Sequence, residues 1–247
     1  MAVDWEKAGW ERLAEGVGRR RLPGWDATTG LVAGSAGALL LDTGATPAQG
    51  AEVAEQTRRL LGGGRSVTHV ALSHPHFDHV LGTSAFLGGG AVGVYAAEGA
   101  GRVLDGGRAE LRADAVRHGV HPAEAEAAVA ALVVPDRPVR DELALDLGGR
   151  RVVLVALGAG HTGHDLAVLV PGAAGAPAVV FCGDLVEESG DPQAGPDAVP
   201  ARWPAALDRL LTLGGPEARY VPGHGAVVDA AFVRAQRDAL ARRFGTG

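Results

Sequence analysis

Val67-Thr68-His69-Val70-Ala71-Leu72-Ser73-His74-Pro75-His76-Phe77-Asp78-His79 is the stretch whose reading decides the fold. Its first half, Val67 to Leu72, is a short apolar run of strand length. Its second half places four metal-ligating side chains, His74, His76, Asp78 and His79, within six residues. Imidazole and carboxylate are the ligand set of Zn²⁺ and of other borderline first-row metals. In extended backbone His74 and His76 share a face. Asp78 and His79 follow after the chain begins to turn, so they can aim at a second position nearby. One cluster can therefore seed two adjacent metal sites. His69, inside the strand, reads as a core histidine or one that supports the ligands.

Three more apolar runs carry the same kind of ending. Arg151 to Leu157 leads into Gly158-Ala159-Gly160-His161-Thr162-Gly163-His164-Asp165, Ala178 to Cys182 into Gly183-Asp184, and Arg219 to Val221 into Pro222-Gly223-His224-Gly225. Four strands that each end in a ligand-type residue imply that their ends gather at one edge. Gly30 to Ala36 and Ala38 to Leu41 read as a further strand pair ending in Asp42-Thr43-Gly44, where Asp42 is expected to hold a loop by accepting hydrogen bonds.

Helices fall between the strands. Pro47 to Leu61 has proline in its first turn and apolar residues at helical spacing. Val80 to Leu87 reads as a short helix and Ala91 to Tyr95 as a strand. Residues 96–132 are Ala-rich, charged and helical, and are expected to lie over the site; His118 and His121 within them read as surface residues. Trp203 to Leu213 and Phe232 to Arg243 are the closing helices. Trp25 is expected in the core or at a pocket rim, and residues 187–200 form a polar loop. Alternation of strands and helices gives a layered α/β architecture.

Composition bounds the function. The 247 residues carry a net charge of −6, with a pI near 5.8 and no long basic run, which argues against a polyanion partner. Arg19-Arg20-Arg21 is the densest basic cluster and reads as a solvated strand edge. The single cysteine, Cys182, excludes an intramolecular disulfide and reads as a buried core thiol; this fits a cytoplasmic location. No leader-like segment opens the chain, and no apolar run reaches membrane-spanning length. The expected arrangement is one domain over residues 1–247 with a helical insertion around 96–132. Oligomeric state is left open, as is whether an N-terminal arm bearing Trp5 and Trp10 packs on its own chain or on a partner.

The ordered set Ser-His-Pro-His-Phe-Asp-His79, Gly-His161-Thr, Gly-Asp184 and Gly-His224-Gly resembles the metallo-β-lactamase fold superfamily from about Leu31 to His224. The resemblance implies a four-layer αβ/βα sandwich with metals at one edge of two sheets. It implies one metal on His74, His76 and His161, a second on Asp78, His79 and His224, and Asp184 bridging them. Asp42 matches the family's structural aspartate near the site. The implied activity is hydrolysis of a small acyl substrate (thioester, lactone, ester or amide) by a hydroxide generated on two divalent ions, Zn²⁺ first and Mn²⁺ or Fe²⁺ as alternatives. Asp78 would orient the nucleophile and shuttle its proton. His164 and Asp165 would hold the loop that carries His161.

Departures narrow the subfamily. Cys182 lies two residues before Asp184, in the apolar strand, unlike the Cys ligand of one β-lactamase class. The carboxylate-bridged pattern looks more like glyoxalase II and lactonases, yet only 23 residues follow His224, too few for glyoxalase II's helical domain. The partner expected is a small molecule, with no nucleic acid and no membrane. The enzymatic alternatives are a small-nucleotide phosphodiesterase and a mononuclear iron sulfur-dioxygenase.

Overall fold

A computed structural model describes residues 5–89, 92–173 and 175–245. Ala91, expected to open a strand, lies outside the described residues. The chain forms a seven-stranded sheet, a five-stranded sheet and seven α-helices among the described residues.

The first sheet runs in chain order: β1 (Glu11–Ala14), β2 (Val17–Arg21), β3 (Thr28–Ala33), β4 (Ala38–Leu41), β5 (His69–Ala71), β6 (Gly93–Ala97) and β7 (Arg137–Val139). Pairs up to β3–β4 are antiparallel, and those from β4–β5 onward are parallel. Parallel neighbours need crossovers. Helix α1 (Pro47–Leu61) spans the one between β4 and β5, and α2 (Phe77–Val80) lies in the next. Thr46 caps α1 by accepting from Gln49 N at 3.2 Å. The second sheet has the order β12 (Arg219–His224), β11 (Val179–Glu187), β10 (Asp165–Val170), β9 (Arg151–Gly158) and β8 (Glu142–Asp146).

Side-chain alternation explains why the two sheets stack and both outer faces are covered. Leu39 and Leu41 of β4, Val152 and Leu154 of β9, and Phe181 of β11 meet in the core between the sheets. Their neighbours point the other way. Leu40 and Val70 pack under α1 with Val53 and Leu60. Val153, Val155 and Val180 pack under α6 (Trp203–Gly214) and α7 (Ala230–Phe244), against Leu207, Leu210 and Val233. The result is the expected four-layer αβ/βα sandwich. Helices α3 (Ala100–Gly106), α4 (Arg108–Arg117) and α5 (Pro122–Ala130) occupy the expected helical segment, and α3 and α4 line the site's cavity.

Several local expectations are corrected. Arg19 to Arg21 lie in β2, which is interior to its sheet. Arg19 is buried and donates to the Gly225 carbonyl at 2.8 Å and to Glu11 at 2.7 Å, so it ties the two halves together at the base of the site. The N-terminal segment that the sequence left open forms a 3₁₀ turn, Glu6–Ala8, and the strands β1 and β2. Trp5 and Trp10 are buried against the α1 layer, with Trp10 Nε1 donating to Gln56 Oε1 at 2.9 Å. The apolar run 67–72 contributes only three residues to strand pairing. The helix expected over 80–87 is a one-turn α2 followed by a 3₁₀ segment, Thr83–Gly89. Gly82 sits between them because a Cβ there would strike the Thr43 carbonyl and the Gly50 backbone.

Candidate metal centre

The ends of β4, β5, β9 and β12, together with a bend in β11, converge on one point. After β5 the chain bends at residues 73–75, is extended at His76 (φ −100°, ψ 154°) and then turns into α2, which carries Asp78 and His79. The bend replaces the extended backbone expected at His74, but the cluster still reaches two positions, His74 and His76 at one and Asp78 and His79 at the other. His161 arrives on the loop after β9, and His224 is the last residue of β12. Asp184 departs from expectation: β11 continues past it to Glu187, so it projects from mid-strand. Gly183, at φ 55°, lies where the register with β12 shifts, and a Cβ there would press on Ser73.

All seven expected ligand residues come together, in two groups. His74, His76, His161 and Asp184 form one, and Asp78, His79 and His224 the other; in each, one ligand atom per residue lies within 4.8 Å of the others. Asp184 Oδ2 is 3.6 Å from His74 Nε2, 3.5 Å from His161 Nε2 and 3.2 Å from His224 Nε2. Its Oδ1 is 3.2 Å from His79 Nε2. One carboxylate thus faces both groups. His76 Nδ1 is 3.0 Å from His161 Nε2, and Asp78 Oδ2 is 3.3 Å from His224 Nε2.

Bonds of ~2.0–2.1 Å to a tetrahedral ion hold ligand atoms about 3.3 Å apart. The spacings above bracket that value. Buried polar atoms also seek partners, yet His74 Nε2, His79 Nε2 and Asp184 Oδ1 are buried without a hydrogen bond, and all three face the cluster. The donor set, the spacing and the orphaned atoms fit divalent cations.

Each of the five imidazoles has its other nitrogen engaged, which is how metal-binding histidines are oriented. His74 Nδ1 meets Ser73 Oγ at 2.9 Å, and His79 Nδ1 meets Asp42 Oδ2 at 2.9 Å. His76 Nε2 meets Asp197 Oδ2 at 3.0 Å. His161 Nδ1 and His224 Nδ1 donate to the carbonyls of Gln193 (3.1 Å) and Trp25 (2.8 Å). A carbonyl can only accept, so whenever either ring is neutral its lone pair lies on Nε2, facing the cluster. Asp42, at φ 54°, also accepts from Ser73 N at 2.8 Å and Ser73 Oγ at 2.7 Å. Its expected structural role is met, and it is close to two of the histidines' supports at once.

Electrostatics separate the two groups. Burial pushes His74 well below the ordinary imidazole value and His161 down to about 4. Burial also opposes a charge on His79 and His224, but the carboxylates around them, Asp184 foremost, together outweigh it. With help from Asp78 and Asp42, His79 is carried well above the usual value; with help from Asp78, His224 is carried up to about 11. Burial would raise Asp184, yet the positive His79 and His224 hold it well below the carboxylate range.

The cluster opens into a cavity of about 910 Å³. Trp25, Phe77 and His118 form an aromatic rim there: Trp25 meets Phe77 edge-on at 5.6 Å, and Phe77 stacks on His118 at 5.5 Å. Trp25 Nε1 donates to the His118 carbonyl at 2.8 Å, tying the rim to the end of α4. His118 is therefore a cavity residue as well as a surface one, whereas His121 caps α5. His164 Nδ1 meets the Glu98 carbonyl at 2.9 Å, and Asp165 accepts from Thr162 N and Oγ1, so both hold the His161 loop as expected. Burial raises Asp165 to about 7. His69 stacks on Tyr95 and meets Thr68 Oγ1. Cys182 is buried on the outer face of its sheet, in the core under α6 and α7.

A family model described as the metallo-beta-lactamase superfamily matches residues 22–224. The chain belongs to this superfamily. Metallo-β-lactamase superfamily members are mostly metal-dependent hydrolases, and the His/Asp cluster of this chain lies where its four motifs converge. Solved structures of the same fold include a metallo-beta-lactamase from Pontibacter korlensis, 21% identical, covering 94% of this chain and 97% of that one at a TM-score of 0.71. FIM-1 from Pseudomonas aeruginosa in its mono-zinc form is 19% identical, covering 95% and 94%, at 0.68. DIM-1 metallo-beta-lactamase is 16% identical, covering 95% and 97%, at 0.71. At these identities the likeness is one of fold. No curated protein matches. Among the described residues no helix is long and apolar enough to cross a membrane.

Asp197 and Gln193 were not singled out from the sequence. Both lie in the polar stretch 187–200, where no periodicity distinguishes a residue that faces a histidine from one that faces solvent.

Proposed function

We propose that the chain is a binuclear metal-dependent hydrolase of small acyl substrates, with His74, His76 and His161 holding one ion, Asp78, His79 and His224 the other, and Asp184 bridging. The observation that carries this reading is the placement of Asp184, whose two oxygens face histidines of both groups within 3.2–3.6 Å. When bound, such an ion pair acidifies a coordinated water and polarises the scissile carbonyl. FIM-1, of the same fold, is described in a mono-zinc form, which favours zinc.

The chain's own residues supply the rest. Asp184 would set a carboxylate between two dications and offset their repulsion. Asp78 lies at the cavity floor, with its carboxylate against His224 and His79, and can hold the nucleophile's proton and pass it to the leaving group. Trp25, Phe77, Leu104 and Leu111 give the cavity apolar wall area for an acyl chain or leaving group. Its volume lies within the ~300–1,000 Å³ range of small-molecule sites.

Charge argues for an acyl over a phosphodiester substrate. Among the described residues lining the cavity, Arg117 is the one Arg or Lys, and its guanidinium pairs with Asp114 at 2.5 Å. Glu110, Glu187, Asp191 and Asp197 line the same space and disfavour an anionic phosphodiester.

The test is a substrate panel for zinc-loaded protein beside chelator-treated protein: a thioester, a lactone, a β-lactam and a bis-aryl phosphodiester. Metal-dependent turnover of an acyl member is expected. Turnover of the phosphodiester alone would replace this reading with a nucleotide phosphodiesterase.

A further inference from the structure

The five imidazoles differ in what holds their outward nitrogens. His79 is held by Asp42, His74 by Ser73 and His224 by the Trp25 carbonyl. Asp42 directly follows core strand β4 and Ser73 comes two residues after β5, and both are buried. His76 and His161 are held differently. Asp197 Oδ2 takes His76 Nε2 and the Gln193 carbonyl takes His161 Nδ1. These two partners are four positions apart in a stretch with no helix or strand between Glu187 and Pro200.

His76 needs such a partner more than the others do. It alone turns Nδ1 toward the cluster, 3.0 Å from His161 Nε2, so its Nε2 projects away from its own backbone. A carboxylate beyond the ring fixes Nε2 as the protonated nitrogen and leaves the Nδ1 lone pair for an ion. The loop is itself lightly held. Val199 N donates to the Gly160 carbonyl at 3.0 Å, beside His161, and Arg243 of α7 donates to the Pro192 carbonyl at 2.9 Å. Asp197 and most of its neighbours from 188 to 198 are exposed.

We propose that residues 193–197 are a positioning clamp for one metal position only: Asp197 and the Gln193 carbonyl set His76 and His161, so that filling the His74/His76/His161 position and ordering this loop are one linked event. The other position, held through Asp42 and Trp25, is independent of residues 193–197; the stretch meets it at its start, where Glu188 N donates to the His224 carbonyl at 3.2 Å. The inference rests on the two-position reading above. Linkage is reciprocal: whatever factor the ordered loop adds to metal affinity, the metal adds to loop order. Groups that orient metal-ligating side chains typically change affinity by about 10–100-fold, so the loop's opening equilibrium should shift by a similar factor on loading.

Two readouts test this without any substrate. Zn²⁺ titration of metal-free protein against a competing chelator gives the two affinities. Asp197→Ala should weaken one of them 10–100-fold and leave the other within a few-fold. Asp197→Asn, which can turn its amide oxygen to His76, should restore most of the loss. Arg243→Ala, remote from every ligand, should weaken the same affinity by a smaller factor. Hydrogen exchange of amides 188–199 in the wild-type protein should slow on Zn²⁺ addition, while α1 amides stay unchanged. Equal melting of metal-free Asp197→Ala and wild type establishes that the variant folds. Wild type that binds two ions, with Asp197→Ala binding both as tightly and loop exchange indifferent to Zn²⁺, would overturn the clamp and leave the binuclear reading intact. Wild type that binds fewer than two ions would overturn the binuclear reading itself.

Discussion

Replacing Asp42 by Asn should cost metal affinity through the tautomer of His79, and the hydrogen bonds show why. Asp42 Oδ1 accepts from Ser73 N at 2.8 Å, and Oδ2 accepts from Ser73 Oγ at 2.7 Å and faces His79 Nδ1 at 2.9 Å. Asparagine tolerates the positive φ of this site. Its oxygen must stay on the Ser73 N–H, because turning the amide round would set N–H against N–H. The amide NH₂ then replaces Oδ2 and donates to His79 Nδ1. That forces the proton of a neutral His79 onto Nε2, the atom 3.2 Å from Asp184 Oδ1 that would bind the ion. Ser73 Oγ has two lone pairs and can accept from the amide and from His74 Nδ1 together, so His74 is disturbed less. The expected loss is 10–100-fold in affinity at the His79 position, or about 1.4–2.7 kcal/mol. Metal-free stability should fall by about 1.5–3 kcal/mol, the worth of a hydrogen bond to a charged group, because Asp42 helps keep the proton on His79 in metal-free protein. Chelator-competition titration reads the first quantity and thermal melting the second. A variant that melts several degrees lower while binding both ions as tightly as wild type would refute the argument that Asp42 acts through the tautomer of His79.

Further substitutions and conditions probe other parts of the account. A Cβ on Gly223 would collide with Asp184 Oδ1, so Gly223→Ala should displace the bridge and leave fewer than two ions bound; elemental analysis after dialysis checks this. In metal-free protein, His79 and His224 have folded pKa values raised above 6.5, His224 to about 11. The folded state then binds more protons than the unfolded chain between about pH 6.5 and 11, so the stability they contribute is complete below pH 6.5 and is lost as pH rises through that window. Melting temperatures should decline there for metal-free protein and much less for zinc-loaded protein, whose ions take the place of the protons. Burial pushes the Cys182 thiol far up, so iodoacetamide should not label it until the chain unfolds, and Cys182→Ala should retain full metal loading.

How legible the molecule was in its sequence followed from how local the determining interactions are. The ligand residues could be read because metal chemistry restricts them to a few side-chain types and the strand-end contexts repeat. The layered α/β architecture could be read because strands and helices alternate, and the sandwich because the ordered motifs resemble those of the superfamily; β4, β9 and β11, apolar on both faces, fit between those layers. Short elements were harder. Thr68 and Leu72 flank β5 without joining it, because sheet pairing, which is non-local, ends the strand at Ala71. Arg19 looks like a solvated charge in one dimension; its partner is the carbonyl of Gly225, 206 residues away. Asp184 was expected at a strand end, whereas Gly183 lets β11 bend and carry on. Asp197 was invisible for the same reason as Arg19: only the folded loop brings it to His76.

The central claim is that two ions act together in acyl hydrolysis, and a metal titration of turnover tests it most directly. Metal-free protein would receive zinc in fractions of an equivalent while hydrolysis of the best acyl substrate in the panel is followed. The account predicts that turnover rises to a break at two equivalents per chain, and that Asp184→Asn abolishes the second half of the rise. Full turnover at one equivalent, unchanged by a second and retained in Asp184→Asn, would contradict it.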